Sequence, residues 1–158
     1  MKLVSELFEE VGKAKSIAEK IDLLRKGSKS LPVEILIQGA YHPNIEFVFS
    51  PTELPDYKPD DVPKGMGYTD IPKELDRLYL FVKGSRKVDP NLSIQRRREI
   101  LIQMLEAMEK NEAEVFLSMF KKDLSVYGIT RRIASEAFPQ LLPPLPPETV
   151  NETIIIRT

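Results

Sequence analysis

Two arginine clusters carry the most visible chemistry in this chain. Arg131 and Arg132 follow Thr130, and Arg96, Arg97 and Arg98 come shortly after Ser93. Each cluster falls at what reads as the first turn of a helix. The amino end of a helix bears about half a positive charge, so cations there are unfavourable unless an anion offsets them. First-turn amides also point outward without intrahelical partners. Amides and guanidinium forks together suit a phosphate group. Lys121 and Lys122 precede the second cluster by a short turn. These residues predict two contacts to a nucleic-acid backbone, made by Arg96, Arg97, Arg98, Lys121, Lys122, Thr130, Arg131 and Arg132. The competing reading is that Glu99, Glu136 or the acidic stretch upstream neutralises the same cations.

Other chemistry is sparse. The 158 residues include no cysteine and a single histidine, His42, so neither a disulfide nor an all-protein zinc site is expected. His42, between Tyr41 and Pro43, reads as a helix-end residue, and nothing near it resembles an activated nucleophile. Asp56, Asp60 and Asp61 are the acids a Mg²⁺ ion would need. Scattered among prolines, they read as solvated surface. No cofactor is expected. Zinc-finger spacing, a basic zipper and an aromatic-rich RNA-binding signature are all missing, so base reading is not indicated.

The formal net charge is −1, which does not suggest a generic nucleic-acid binder, but the charge is unevenly spread. Residues 43–76 hold eight acidic and three basic side chains, whereas residues 83–132 hold eleven basic and seven acidic ones. No apolar run approaches the ~20 residues that span a bilayer.

Helices must position the clusters. Leu3, Leu7, Phe8 and Val11, then Ile17, Ile21 and Leu24, recur at helical spacing, with Gly12 marking a break or bend. Ser16 and Glu19 form a capping box, and Gly27 and Ser28 end that helix. Pro32 opens a third helix, which Pro43 limits. Residues 43–70 are proline-rich yet apolar, and predict a long ordered loop. Within it "IEFVF" could form a strand but has no obvious partner. Asp70 caps a helix with Pro72 inside it, Leu75, Leu78, Tyr79 and Val82 as its buried stripe, and Gly84 at its end. Ser93 caps the next helix, with Ile100, Leu101, Met104, Leu105 and Met108 inward. Asn111 and Glu114 make another capping box, followed by Val115, Phe116, Met119, Phe120 and Leu124. Gly128 fits a position of positive φ, and a last helix runs from about Arg131 to Phe138. The expected fold is all-α, a compact bundle of six to seven helices. Residues 1–142 form one helical domain, and 143–158, which include "PPLPP" and "TIIIRT", form an extended tail.

The order of features then becomes informative. "AYHPNIEFVFSP" is followed by "PKGMGYTDIPKELDRL", by "RRREILIQMLEAMEKNEAEVFLSMFKKDL", and by "IASEAFPQLLPP". This succession, over about residues 33–144, resembles the N-terminal helical DNA-binding domain of tailed-phage ATP-dependent DNA ligases. It also resembles a family of uncharacterised small tailed-phage proteins. Its most specific pieces are "KKDL" leading through a glycine turn to "IASEAFP", and "GMGYTDI". The resemblance implies an all-α fold that contacts duplex DNA through its backbone, with residues from Asp123 through Ile133 and Pro139 where such ligases approach DNA. The chain departs from the ligases where catalysis resides. No Lys-x-Asp-Gly occurs, since "KKDL" and "KPDD" both lack the glycine, and the chain ends where the nucleotidyl-transfer domain would begin. The expectation is a non-catalytic phage DNA-binding accessory protein in the cytoplasm, that of the host cell if phage-encoded, and not in a membrane. The alternative is a protein-interaction module that binds a phage or host protein through its proline-rich loop or tail. In that case "PPLPP" would dock on an aromatic groove or "TIIIRT" would add a strand to a sheet edge.

Overall fold

Short polar side chains set the helix starts. In a computed structural model describing residues 3–27, 31–63 and 65–143, Ser93 Oγ accepts from Arg96 N (3.0 Å), Asp70 Oδ1 from Lys73 N (3.1 Å) and Thr130 Oγ1 from Ile133 N (3.2 Å). Ser16 Oγ accepts from Glu19 N, while the Glu19 carboxylate reaches one residue past the predicted partner, to Lys15 N. Each contact satisfies an amide that the helix itself leaves unpaired.

Among the described residues there are seven α-helices and no strand: α1 (Val4–Lys13), α2 (Ile17–Gly27), α3 (Leu31–Tyr41), α4 (Ile71–Glu74), α5 (Ile94–Ala107), α6 (Lys110–Phe120) and α7 (Arg131–Ala137). Two 3-10 segments, Leu75–Phe81 and Ser125–Tyr127, complete the backbone. Helix α1 packs on α2 and α6, α2 on α7, and both α3 and α5 on α6. The centre is aromatic. Phe120 meets Phe116 and Phe81 edge-on at 5.2 and 5.6 Å and Phe47 at 4.5 Å. No helix among the described residues is long and apolar enough to cross a membrane.

Three expectations are corrected. The helix predicted from Asp70 to Val82 is one α turn followed by a 3-10 segment. A 3-10 helix repeats every three residues. Leu75, Leu78 and Phe81 therefore line up inward, with Phe81 fully buried, while Tyr79 turns toward solvent. Helix α6 starts at Lys110 rather than after Asn111, because Glu109 is its N-cap and accepts from Asn111 N (2.7 Å). The "IEFVF" segment does have a partner, the end of the first 3-10 segment. Val48 N donates to Phe81 O (2.7 Å) and Lys83 N to Glu46 O (2.8 Å), an isolated antiparallel bridge.

The loop of residues 43–70 is tied to the α5–α6 junction. Thr69 N donates to Ala107 O, Lys110 N to Asp60 O, and Lys58 N to the Glu106 carboxylate. Gly67 lies so close to this junction that a Cβ there would sit 2.8 Å from Glu109 N. Only glycine permits that approach. The "PPLPP" and "TIIIRT" segments lie outside the described residues, apart from Pro143.

Candidate nucleic-acid interface

The two arginine-rich helix starts pack on different elements, α7 on α2 and α5 on α6. Most of their cations serve backbone carbonyls of this chain. Arg131 Nη1 donates to Tyr41 O (3.1 Å) and Nη2 to Pro143 O (2.8 Å). Lys122 Nζ donates to Gly39 O (2.7 Å), Ile45 O (2.7 Å) and His42 O (3.3 Å), and lies 5.5 Å above the Phe47 ring. Tyr41 ends α3, and Gly39 and His42 flank it. The last carbonyls of a helix are unpaired and carry its negative end. The carboxyl end of α3 thus supplies the negative charge that offsets an arginine at the start of α7. Burial pushes the Lys122 ammonium below the usual lysine value, opposed by nearby Glu46.

The α5 cluster behaves similarly. Arg98 Nη1 donates to Glu53 O (2.7 Å), with its guanidinium 5.0 Å over the Phe49 ring. Arg97 Nη2 turns back to Leu92 O (3.4 Å). Arg96 pairs with Glu99 at 3.1 Å, and Arg132 lies 3.8 Å from Glu136. Both pairs span one helical turn at the surface, where such pairs contribute about 0–1 kcal/mol. Lys121 is exposed, and Thr130 serves as the N-cap of α7. Of the eight residues singled out by sequence, Arg96, Lys121 and Arg132 hold charged ends at the surface. Arg97, Arg98, Lys122 and Arg131 are engaged by the fold.

A further cationic element escaped sequence reasoning. Gly84, at φ 77°, turns the chain after the first 3-10 segment, and a Cβ there would meet nothing within 4 Å. Lys83, Arg86 and Lys87 are exposed around it. Lys83 lies 3.6 Å from the Glu46 carboxylate, and Lys87 Nζ 6.0 Å from the centre of the Tyr79 ring. Hydrogen bonds from Ser50 hold the Glu53 carboxyl below the usual range, and the charges of Arg98 and Lys83 add to this. Lys83 lines one surface pocket with Glu53, whose backbone carbonyl accepts from Arg98 Nη1, so the Gly84 turn stands near the start of α5. The available signal was "VKGSRK" itself, a glycine turn amid three cations.

Asp61 pairs with Lys110 (3.1 Å), and among the described residues no three His, Asp or Glu side chains are grouped to hold a metal ion. His42 Nδ1 accepts from Asn44 N just after α3, a helix-end role.

Fold and surface together define a small all-α protein in which Arg97, Arg98, Lys122 and Arg131 hold its own backbone while Lys83, Arg86 and Lys87 stand exposed around a glycine turn. Residues 7–126 match the model of a family of unknown function, DUF6433, and the chain belongs to that family. A search of curated proteins finds no match.

Proposed function

We propose that this protein is a non-catalytic accessory protein that contacts duplex DNA through its phosphates, akin to the phage ligase DNA-binding domain it resembles. The contacting surface is the Gly84 turn with the start of α5, namely Lys83, Arg86, Lys87 and Arg96. The observation that supports this reading is that Glu53 lines one surface pocket with Lys83 and accepts from Arg98 Nη1 at its backbone carbonyl (2.7 Å), which brings the turn and the arginine-rich start together. Phosphate contacts fix position rather than sequence, so binding is expected to be weakly sequence-dependent. The test is a duplex titration at several salt concentrations. The triple variant K83A/R86A/K87A is expected to bind at least about tenfold more weakly at low salt, with a salt slope shallower by about 2–3. A wild-type protein that fails to bind, or a variant with unaltered affinity and slope, would sink the reading.

A second reading is supported by a specific observation. Met66 and Tyr68 are 69% and 91% exposed on either side of Gly67, in the part of the loop pinned to the α5–α6 junction. A rigid backbone presenting two large apolar side chains suits capture of a phage or host protein. Loss of partner capture in a Met66→Ser, Tyr68→Ser variant whose duplex binding is intact would separate the two readings.

A further inference from the structure

A cleft of about 580 Å³ opens between α6, the Ser125–Tyr127 segment and the proline-rich loop. Pro51, Tyr57, Leu117, Val126 and Tyr127 supply its apolar wall. Val126 is 76% exposed, so among the described residues nothing covers it. The Tyr127 ring is fixed against Phe8, with ring centres 5.5 Å apart. Tyr57 belongs to the loop that Lys58, Thr69 and Lys110 tie to the α5–α6 junction. The wall is therefore set before anything docks, and it suits an apolar segment.

The chain itself is led toward this cleft. Gln38 Nε2 donates to Leu141 O (3.2 Å) and Arg131 bridges Pro143 O to Tyr41 O, so residues 141–143 run beside the end of α3. Tyr41 Oη accepts from Leu124 N (3.0 Å), and the neighbours of Leu124, Asp123 and Ser125, line the cleft. One guanidinium, one tyrosine side chain and the hydrogen bonds joining them therefore separate Pro143 from the rim. Fifteen residues follow Pro143. Residues 144–147, three of them proline, would cover ~12 Å as polyproline II. The polar residues that follow, up to Thr153, add ~20 Å when extended. That reach exceeds the separation and delivers Ile154, Ile155 and Ile156, the longest apolar run after the prolines.

We infer that Ile154, Ile155 and Ile156 of the same chain dock in this cleft against Tyr57, Leu117, Val126 and Tyr127, carried there by the proline arm after Pro143. Docking takes three isoleucines and an exposed valine out of water, which is favourable. A short tether supplies an effective concentration in the millimolar range, so even a weak contact is populated. Proline restricts the arm in advance and lowers the entropy lost on docking. No residue of the Gly84 turn lines the cleft, so the inference stands independently of the duplex reading.

The chain has no cysteine, so a Thr158→Cys variant takes a nitroxide label at one place. The test is amide NMR of that labelled chain with the nitroxide oxidised and then reduced. Oxidation is expected to suppress the signals of Leu117, Ser125 and Val126. Ile154→Ser, Ile155→Ser and Ile156→Ser together are expected to restore them several-fold, and Val126→Ser, at an exposed position, to restore them in part. Neither set of changes should alter the amide pattern of the helices, which separates undocking from unfolding. Signals at the cleft that ignore the nitroxide, or a suppression that survives all three serines, overturn the proposal. A second sample mixes isotope-enriched chain lacking the nitroxide with unenriched chain carrying it. Suppression there as strong as within the labelled chain also overturns the proposal, in favour of a segment exchanged between two copies.

Discussion

Lys122 stands where a helix end usually takes glycine. Its φ is 61°, and the bonds Lys122 N to Met119 O and Asp123 N to Ser118 O close a Schellman motif around it. A left-handed lysine is strained by about 1 kcal/mol, and the three carbonyls held by its ammonium offset that strain. Lys122→Ala is expected to lower stability by about 2 kcal/mol, since it strips the charged donor from Gly39, His42 and Ile45. Lys122→Gly loses the same bonds but relaxes the backbone, and is expected to sit about 1 kcal/mol above the alanine variant. Urea midpoints at constant m-value check both. Equal midpoints for Ala and Gly would dispose of the strain, and wild-type stability in both would dispose of the cage. At this scale the caps at Ser93 and Asp70 were legible, because each acts three residues away along the chain, while Thr130, singled out as a backbone contact, also caps α7. The partners of Lys122 and Arg131 were not, because Gly39 and Tyr41 lie some eighty to ninety residues earlier in sequence. An arginine at a helix start looks the same in sequence whether it faces a phosphate or the carboxyl end of α3.

Elements meet through one buried carboxylate. Glu112, in the first turn of α6 and 1% exposed, accepts from Ser5 N of α1 (2.8 Å) and from Ile71 N of α4 (3.3 Å). Three helix amino ends therefore converge on it, each contributing partial positive charge. Glu112→Gln keeps the volume but removes the charge and turns one acceptor into a donor facing an amide. The expected loss is about 2–3 kcal/mol by chemical denaturation, with no measurable loss for exposed Glu114→Gln in the same helix. A Glu112→Gln protein as stable as wild type would show that the amide ends do not depend on that charge. Sequence pointed to a different acid because Asn111 and Glu114 have the spacing of a capping box. The true start is one residue earlier, and Glu112 reaches two other helices instead of back along its own. The segment after Asp70 misled for a related reason: its apolar residues suit both a 3.6 and a 3.0 period, and packing of Phe81 against Phe120 selects the second.

Across the whole molecule, helical periodicity made the all-α class readable, and the proline content made the loop of residues 43–70 readable. Which cations reach the surface was hidden, since that depends on how α3, α6 and α7 meet. The same meeting places partly bury three phenols at junctions. Tyr41 Oη accepts from Leu124 N and donates to Ile129 O, Tyr57 anchors the loop beside Glu114, and Tyr127 packs on Phe8. Burial raises all three, Tyr127 to about 12. In the unfolded chain these groups lose their protons near pH ~10. Above that value the folded state holds more protons than the unfolded one, so stability is fully present below it and falls as pH rises toward about 12. Lys122 works in the opposite direction. Its lowered folded value makes the unfolded state the better proton binder just below ~10.4, so stability from that group rises there. The net expectation is a thermal midpoint nearly level up to about pH 10 and then steeply lower. Tyr127→Phe should flatten the descent, because its ring still packs on Phe8 while the proton linkage is gone. Phenolate absorbance recorded alongside should lag for the three partly buried rings until the midpoint drops. Parallel descents for wild type and Tyr127→Phe would count against Tyr127 as the source, and would move the linkage to Tyr41, whose hydroxyl joins α3 to the chain entering α7.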